Sequence, residues 1–152
     1  MTQRLNPYAI RPELTKPLID FAGVVEAMGL EHRLLEMVKI RASQINGCAV
    51  CLHMHAHDAR AAGETEERIL MLDAWRETPL YTPRERAALE WTEALTRLTE
   101  TGAPDEAYKA LAEQFTEDEQ VKLSIAIATI NAFNRLGVGF RIGPVTVQRK
   151  AA

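Results

Sequence analysis

The two cysteines of this chain stand three residues apart, Cys48-Ala-Val-Cys51. They open a stretch that contains no Pro or Gly from Cys48 to Ala62 and follows Asn46-Gly47. A turn pair followed by such a run reads as a helix start. At about 100° per residue, Cys48, Cys51 and His55 fall on one stripe, with Leu52, Ala59 and Ala62 beside them. His53, His57 and Arg60 fall on the opposite side, which should be solvated or lie at a subunit interface. The stripe is apolar apart from its reactive groups, so it should face the interior. Gly47 marks the helix N-terminus, where backbone N–H groups lack partners and the dipole end is positive. A thiol there is biased toward thiolate, the nucleophilic form. Cysteines one turn apart can also close a disulfide if their Cα separation allows it.

A carboxylate precedes the pair. Glu36 lies on Glu31 to Ile45, where Leu34, Leu35, Val38 and Ile45 are spaced for a buried helix face. A short Asn-Gly turn would let this helix pack back on the cysteine helix and bring Glu36 toward the Cys/His stripe. A half-buried carboxylate near a histidine suits a general base, because desolvation raises its pKa toward working pH. Periodicity alone also allows Glu36 to be a surface carboxylate paired with Lys39 or Arg33.

Three readings of the cysteines are open at this point. They can be two small buried hydrophobes. With His55 and Glu36 they can supply four zinc ligands, although two close cysteines on one helix make poor tetrahedral ligands. They can form a dithiol redox centre, which the helix start and the His one turn on favour. The chain carries 18 basic and 21 acidic residues, net −3, with no basic stripe, which argues against a nucleic-acid partner. No apolar run reaches membrane-spanning length. Residues 1–12 are polar and Pro-interrupted, unlike a signal peptide. The expected location is therefore cytoplasmic, where two close cysteines point to redox or metal chemistry more than to a structural staple.

The remaining chain reads as one all-α domain of six to eight helices over residues 1–152, with the CxxC at the N-terminus of a buried helix. Residues 1–12, with Asn6-Pro7, Tyr8 and Arg11-Pro12, read as an extended arm lying across a surface, its own or a neighbouring subunit's. Glu13 to Met28 has Leu14, Leu18, Phe21 and Val25 on one helical face, with Pro17 near its start. Thr65 can cap a shorter helix through Leu72. Thr82-Pro83-Arg84-Glu85 and Thr116-Glu117-Asp118-Glu119 are capping boxes. The first opens a helix to about Leu98 and the second a helix to Leu136, with Asp105 to Gln114 a short helix between them. Leu123 to Ala132 is apolar nearly all round, so that helix should be central or at an interface. Asn131 and Asn134 should brace packing, and Gly137, Gly139, Gly143 and Pro144 mark an irregular tail over 138–152.

Glu36-x(11)-Cys48-x(2)-Cys51-x(3)-His55 resembles the signature of the alkylhydroperoxidase D-like group within the carboxymuconolactone decarboxylase superfamily. Ile45-Asn-Gly-Cys48, the Ala61-Ala-Gly63 after the helix and Ile130-Asn-Ala-Phe-Asn-Arg135 are similar too, and the likeness spans roughly residues 13 to 140. It implies a peroxidase or disulfide oxidoreductase acting on (alkyl) hydroperoxides, with no metal and no bound cofactor. It makes Cys51 the peroxide-attacking thiol, Cys48 the resolving thiol, and Glu36 and His55 a proton relay. Helix-dipole reasoning alone favours Cys48 as the more acidic thiol. The implied reductant is an external dithiol, lipoyl-type or a peroxiredoxin system, and the implied assembly a homo-oligomer, trimer or hexamer. Well-known peroxidases of the group carry another His just before the second cysteine, where this chain has Val50. The superfamily also includes decarboxylases and proteins without demonstrated catalysis, so a lactone enzyme or a small-molecule-binding module is the alternative.

Overall fold

A computed structural model describes residues 2–143. Its elements are α1 (Pro7–Ile10), α2 (Pro12–Glu26), α3 (His32–Asn46), α4 (Ala49–Ala61), α5 (Glu66–Leu70), a 3-10 segment (Met71–Glu77), α6 (Pro83–Thr96), α7 (Leu98–Thr101), α8 (Asp105–Gln114) and α9 (Glu117–Gly139). There is no strand among the described residues. The all-α reading holds, and two four-residue helices, α1 and α7, add to the helices expected.

Local chemistry sets the boundaries. Both capping boxes form: Thr82 accepts from the Glu85 amide and Thr116 from the Glu119 amide, and each Glu side chain reaches back to the cap. These reciprocal bonds satisfy donors that the first helical turn leaves open. Glu119 is held down to about 2, chiefly by its bond from Arg84 and by the amide of Thr116.

α3 lies at the centre, buried without interruption from Leu34 to Ser43. It packs against α4, α6 and α9. Leu35, Val38 and Ile40 meet Leu89 of α6, Leu111 of α8, and Leu123 and Ile127 of α9 in the main core. A helix wrapped on three sides cannot keep a polar face in water, so α3 carries Glu36, Lys39 and Arg41 inward. Each finds a partner, as buried charges require. Arg41 bonds Glu93 at 2.8 Å and also pairs with Asp73. Glu93 accepts as well from Trp75 Nε1 at 2.8 Å and Arg76 Nη1 at 2.6 Å.

α9 is also central, as its apolar sequence predicts, but Val121 faces solvent. The helix continues past Leu136 to Gly139, so Gly137 and Gly139 belong to a helix and not to an irregular tail. Residues 144–152 of the expected tail lie outside the described residues. The N-terminal segment reaches the C-terminal end of α9. The Arg4 amide donates to the Phe140 carbonyl at 3.0 Å and its Nη1 to Gly139 O at 2.9 Å. Residues 7–10, expected as extended arm, are helical because Asn6 caps the Tyr8 amide and Pro7 supplies a preset first position. α2 differs most from its expected packing: Val25 is buried, while Leu14 and Phe21 of the same predicted face are exposed.

Candidate active site

The site is built at the joint between α3 and α4. Gly47 adopts φ +68° and ends α3 in the left-handed conformation. The Gly47 amide returns to Gln44 O at 3.2 Å and the Cys48 amide to Ser43 O at 3.0 Å, the paired bonds of a Schellman turn. Cys48 is then the N-cap of α4. One residue thus closes one helix and opens the next. An asparagine cluster holds this joint from α9. Asn46 Nδ2 donates to Asn131 Oδ1 and to Asn134 Oδ1, both at 2.9 Å, and Asn134 Nδ2 donates to Ser43 Oγ at 3.0 Å.

Cys48 and Cys51 are joined as a disulfide, with their Cα atoms 5.4 Å apart, inside the range a disulfide spans without backbone distortion. Both are buried and share a small cluster with Ala42, Ile130, Val50 and Phe133. Gly137 of α9 lies directly over the sulfurs. A Cβ there would stand 2.7 Å from Cys48 Sγ and 3.6 Å from Cys51 Sγ. Only glycine fits that contact.

The other two predicted residues meet each other. His55 Nδ1 lies 2.9 Å from Glu36 Oε2. Glu36 is 2% exposed, and its Oε1 accepts from Lys39 Nζ at 2.8 Å. Burial pushes this carboxyl up, but the bonds from His55 and Lys39, together with their charges, outweigh it and hold the group below its ordinary value. This corrects the expectation that desolvation would raise Glu36 toward working pH. An ionised carboxylate only accepts, so His55 Nδ1–H donates to Glu36 and Nε2 is left outside that bond. A carboxylate so placed can orient an imidazole, and an imidazole is chemically able to exchange a proton. His53 and His57 are exposed on the far side of α4, as the helical wheel indicates.

Cys51 and His55 open onto a cavity of about 480 Å³. Its walls are mainly apolar: Ile19, Ala22 and Val25 from α2, Val50 and Met54 from α4, and Ala126, Ile130 and Phe133 from α9. Tyr8 and Ile142, from the two ends of the described chain, also line it. Burial holds the Tyr8 phenol above its ordinary value, so it stays neutral. Cys48 does not line this space. At the polar end stand Lys39 and Glu26, beside His55.

Metal binding has less support than redox chemistry. Among the described residues two groupings bring His and acidic ligand atoms together, Glu26/His32/Glu36 and Glu36/His55/Asp58. Neither contains a cysteine, and the Lys39 ammonium already bonds both Glu26 and Glu36.

The model of the carboxymuconolactone decarboxylase family matches residues 12–94, more than half of the chain and all four motif residues. The chain belongs to that family. It is an alkylhydroperoxidase D-like member of the superfamily. The uncharacterized protein YdfG of Bacillus subtilis (strain 168) is 41% identical over 138 residues, 91% of this chain and 94% of that one. A crystal structure of ATU0492 from Agrobacterium tumefaciens superposes with TM-score 0.92 at 43% identity, covering 94% of this chain and 98% of that one. That protein is of unknown function, and a role as the antioxidant defence protein AhpD has been suggested for it. An uncharacterized peroxidase-related protein from Silicibacter sp. TM1040 shares the fold, with TM-score 0.69, 21% identity, and coverage of 84% and 72%.

Sequence reasoning brought the four motif residues forward and missed three others at the site. Lys39 entered only as a surface partner for Glu36, although its i+3 position on the same face was a usable signal. Glu26 had no signal, since its approach is tertiary. Gly137 resembled a helix breaker, and its role follows from contact with sulfurs 86 to 89 residues away in sequence.

Proposed function

We propose that this protein is a thiol-dependent peroxidase and disulfide oxidoreductase that reduces organic hydroperoxides through Cys51 and Cys48. One observation carries the reading: of the two cysteines, Cys51 faces the apolar cavity, in company with a histidine held by a buried carboxylate. The roles that the motif resemblance implies for Cys51 and Cys48 are the same.

In the reduced protein His55 takes the Cys51 proton, and the thiolate attacks the peroxide oxygen. The O–O bond breaks, Cys51 becomes a sulfenic acid, and the alkoxide leaves as alcohol with the proton from His55. Cys48 then displaces hydroxide from that sulfur, water leaves, and the disulfide forms. An external dithiol attacks the disulfide and departs oxidised, restoring both thiols. A lipoyl-type dithiol or a peroxiredoxin system is the proposed reductant, in the cytoplasm, where such donors are kept reduced. No described helix is long and apolar enough to cross a membrane.

Access selects Cys51, which lines the cavity while Cys48 does not. Val50 adds an apolar wall where another histidine would add a donor, which fits an organic peroxide better than a small hydrated one. Stopped-flow peroxide consumption with excess dithiol tests the reading: Cys51→Ser should abolish turnover. Unimpaired turnover by that variant removes the mechanism. The lactone-enzyme or ligand-binding alternative is separated by thiol titration, since it leaves both thiols free after peroxide treatment. Self-association belongs to the same proposal, because Ile10, Leu14, Phe21 and Val24 leave an apolar stretch of α1 and α2 uncovered. A trimer or hexamer in size-exclusion chromatography supports it, and a monomer at low micromolar concentration opposes it.

A further inference from the structure

The buried lysine at the polar end of the cavity has no part in the motif. Lys39 is side-chain buried to 8% exposure, donates to Glu36 Oε1 at 2.8 Å, and also pairs with Glu26 at the end of α2. Glu36 in turn holds His55 at 2.9 Å. The groups thus form one hydrogen-bonded chain, Glu26–Lys39–Glu36–His55, that starts half-exposed and ends at the cavity that Cys51 also lines. A buried lysine costs several kcal/mol in desolvation unless its charge is matched. Two carboxylates match it here, one more than neutralisation needs.

We propose that Lys39 is a positioning residue: it fixes Glu36 as a carboxylate, and so fixes the proton acceptor state of His55 that the dithiol requires. Glu26 holds Lys39 in place from α2. The inference rests on the dithiol–dyad reading above and extends it by two residues.

The sign of the effect follows from the charges facing this group. On α2 there is Glu26, on α3 His32 and Lys39, and on α4 His55 and Asp58. α1 contributes the Tyr8 phenol, which burial keeps neutral, and α9 contributes Ala126, Thr129, Ile130, Phe133 and Gly137 to the cavity, none of them titratable. Lys39 supplies the ammonium between Glu26 and Glu36, so its removal leaves carboxylates facing one another. A proton then binds more tightly to the Glu36–His55 pair, and the acceptor is filled at a higher pH.

The test compares Lys39→Met, which keeps the aliphatic stem, with Lys39→Arg, which restores the charge. Two readouts are taken on reduced protein: the 13C titration of the Glu36 carboxyl, and the alkylation rate of Cys51 against pH. Lys39→Met should move the carboxyl midpoint and the acid limb of the rate profile upward by about one unit, roughly a tenfold rate loss on that limb. Lys39→Arg should recover most of it. A purely structural role would lower rates equally at every pH without moving either midpoint, and that result overturns the proposal. Should Lys39→Met fail to fold, Glu26→Gln tests the same chain from its exposed end: with one of the two carboxylates facing Lys39 neutralised, the Glu36 midpoint should move downward by less than about one unit, and no shift or an upward one refutes the proposal. Neither readout needs peroxide. A shifted titration in a protein that consumes no peroxide keeps the charge chain and removes the peroxidase reading.

Discussion

Gly137 gives the sharpest structural prediction. A methyl at this position would meet Cys48 Sγ at 2.7 Å and Val50 Cγ1 at 3.3 Å. Side chains essentially never approach a sulfur so closely, so Gly137→Ala must displace the disulfide or α9. Two opposing terms set the outcome. Replacing a helical glycine with alanine gains about 1 kcal/mol in propensity. Overpacking a filled site costs about 1–3 kcal/mol. Gly139 supplies the internal reference: it lies on the same helix, and a Cβ there meets nothing within 4 Å. Gly139→Ala should be neutral or mildly stabilising, and Gly137→Ala should fall about 1–2 kcal/mol below it. Urea unfolding of oxidised and reduced protein measures both. The gap should be wider in the oxidised protein, where the disulfide fixes Cys48 Sγ, than in the reduced one, where the thiol can rotate away. Equal stability of the two variants in both redox states would refute the contact.

Other outcomes follow from buried polar groups. Glu93→Gln strips the carboxylate from Arg41 and Arg76 and should destabilise by about 3–5 kcal/mol, read by chemical denaturation; a loss under 1 kcal/mol would mean the cluster is solvated. Asn134→Ala leaves Ser43 short of a donor and Asn46 of an acceptor, and should cost about 1–3 kcal/mol, with faster amide exchange at Gly47 and Cys48 as its local signature. Glu36, Glu64 and Glu93 are all held below their ordinary value of 4.5, because bonds and charges from neighbouring cations outweigh the burial that raises them. A carboxyl depressed in the folded state stabilises fully above the unfolded value and loses that contribution as pH falls through the folded one. The melting temperature should therefore stay level from neutral pH to about 5 and drop below that; a rise on acidification would contradict these pairings.

Much of this molecule was legible from local rules. The capping boxes at Thr82 and Thr116, the joint at Gly47 and the placing of Cys51 and His55 on one face of α4 depend on residues within a turn of each other, and each forms as read, whereas Cys48 stands before the helix as its extended N-cap. The failures share a different cause. α3 shows an amphipathic pattern in sequence, yet it is enclosed, and its charged residues are buried by helices that arrive from far along the chain. That enclosure also reversed the expected direction of the Glu36 pKa: desolvation acts as anticipated, but Lys39 and His55 are closer than periodicity could say. The apolar face expected of α2 was read as core, whereas Leu14 and Phe21 remain uncovered in the single chain. Gly137 has the same local signature as a helix end and only tertiary contact reveals its use.

The most direct test of the central claim is the fate of a single sulfur. Cys48→Ser protein, fully reduced, is treated with one equivalent of cumene hydroperoxide in the presence of dimedone, and the adduct is located by peptide mass spectrometry. The account predicts a sulfenic-acid adduct on Cys51 in near-stoichiometric yield, none in Cys51→Ser, and none in wild type, where Cys48 closes the disulfide first. An unmodified Cys51, or an adduct on Cys48 in the Cys51→Ser protein, would contradict it.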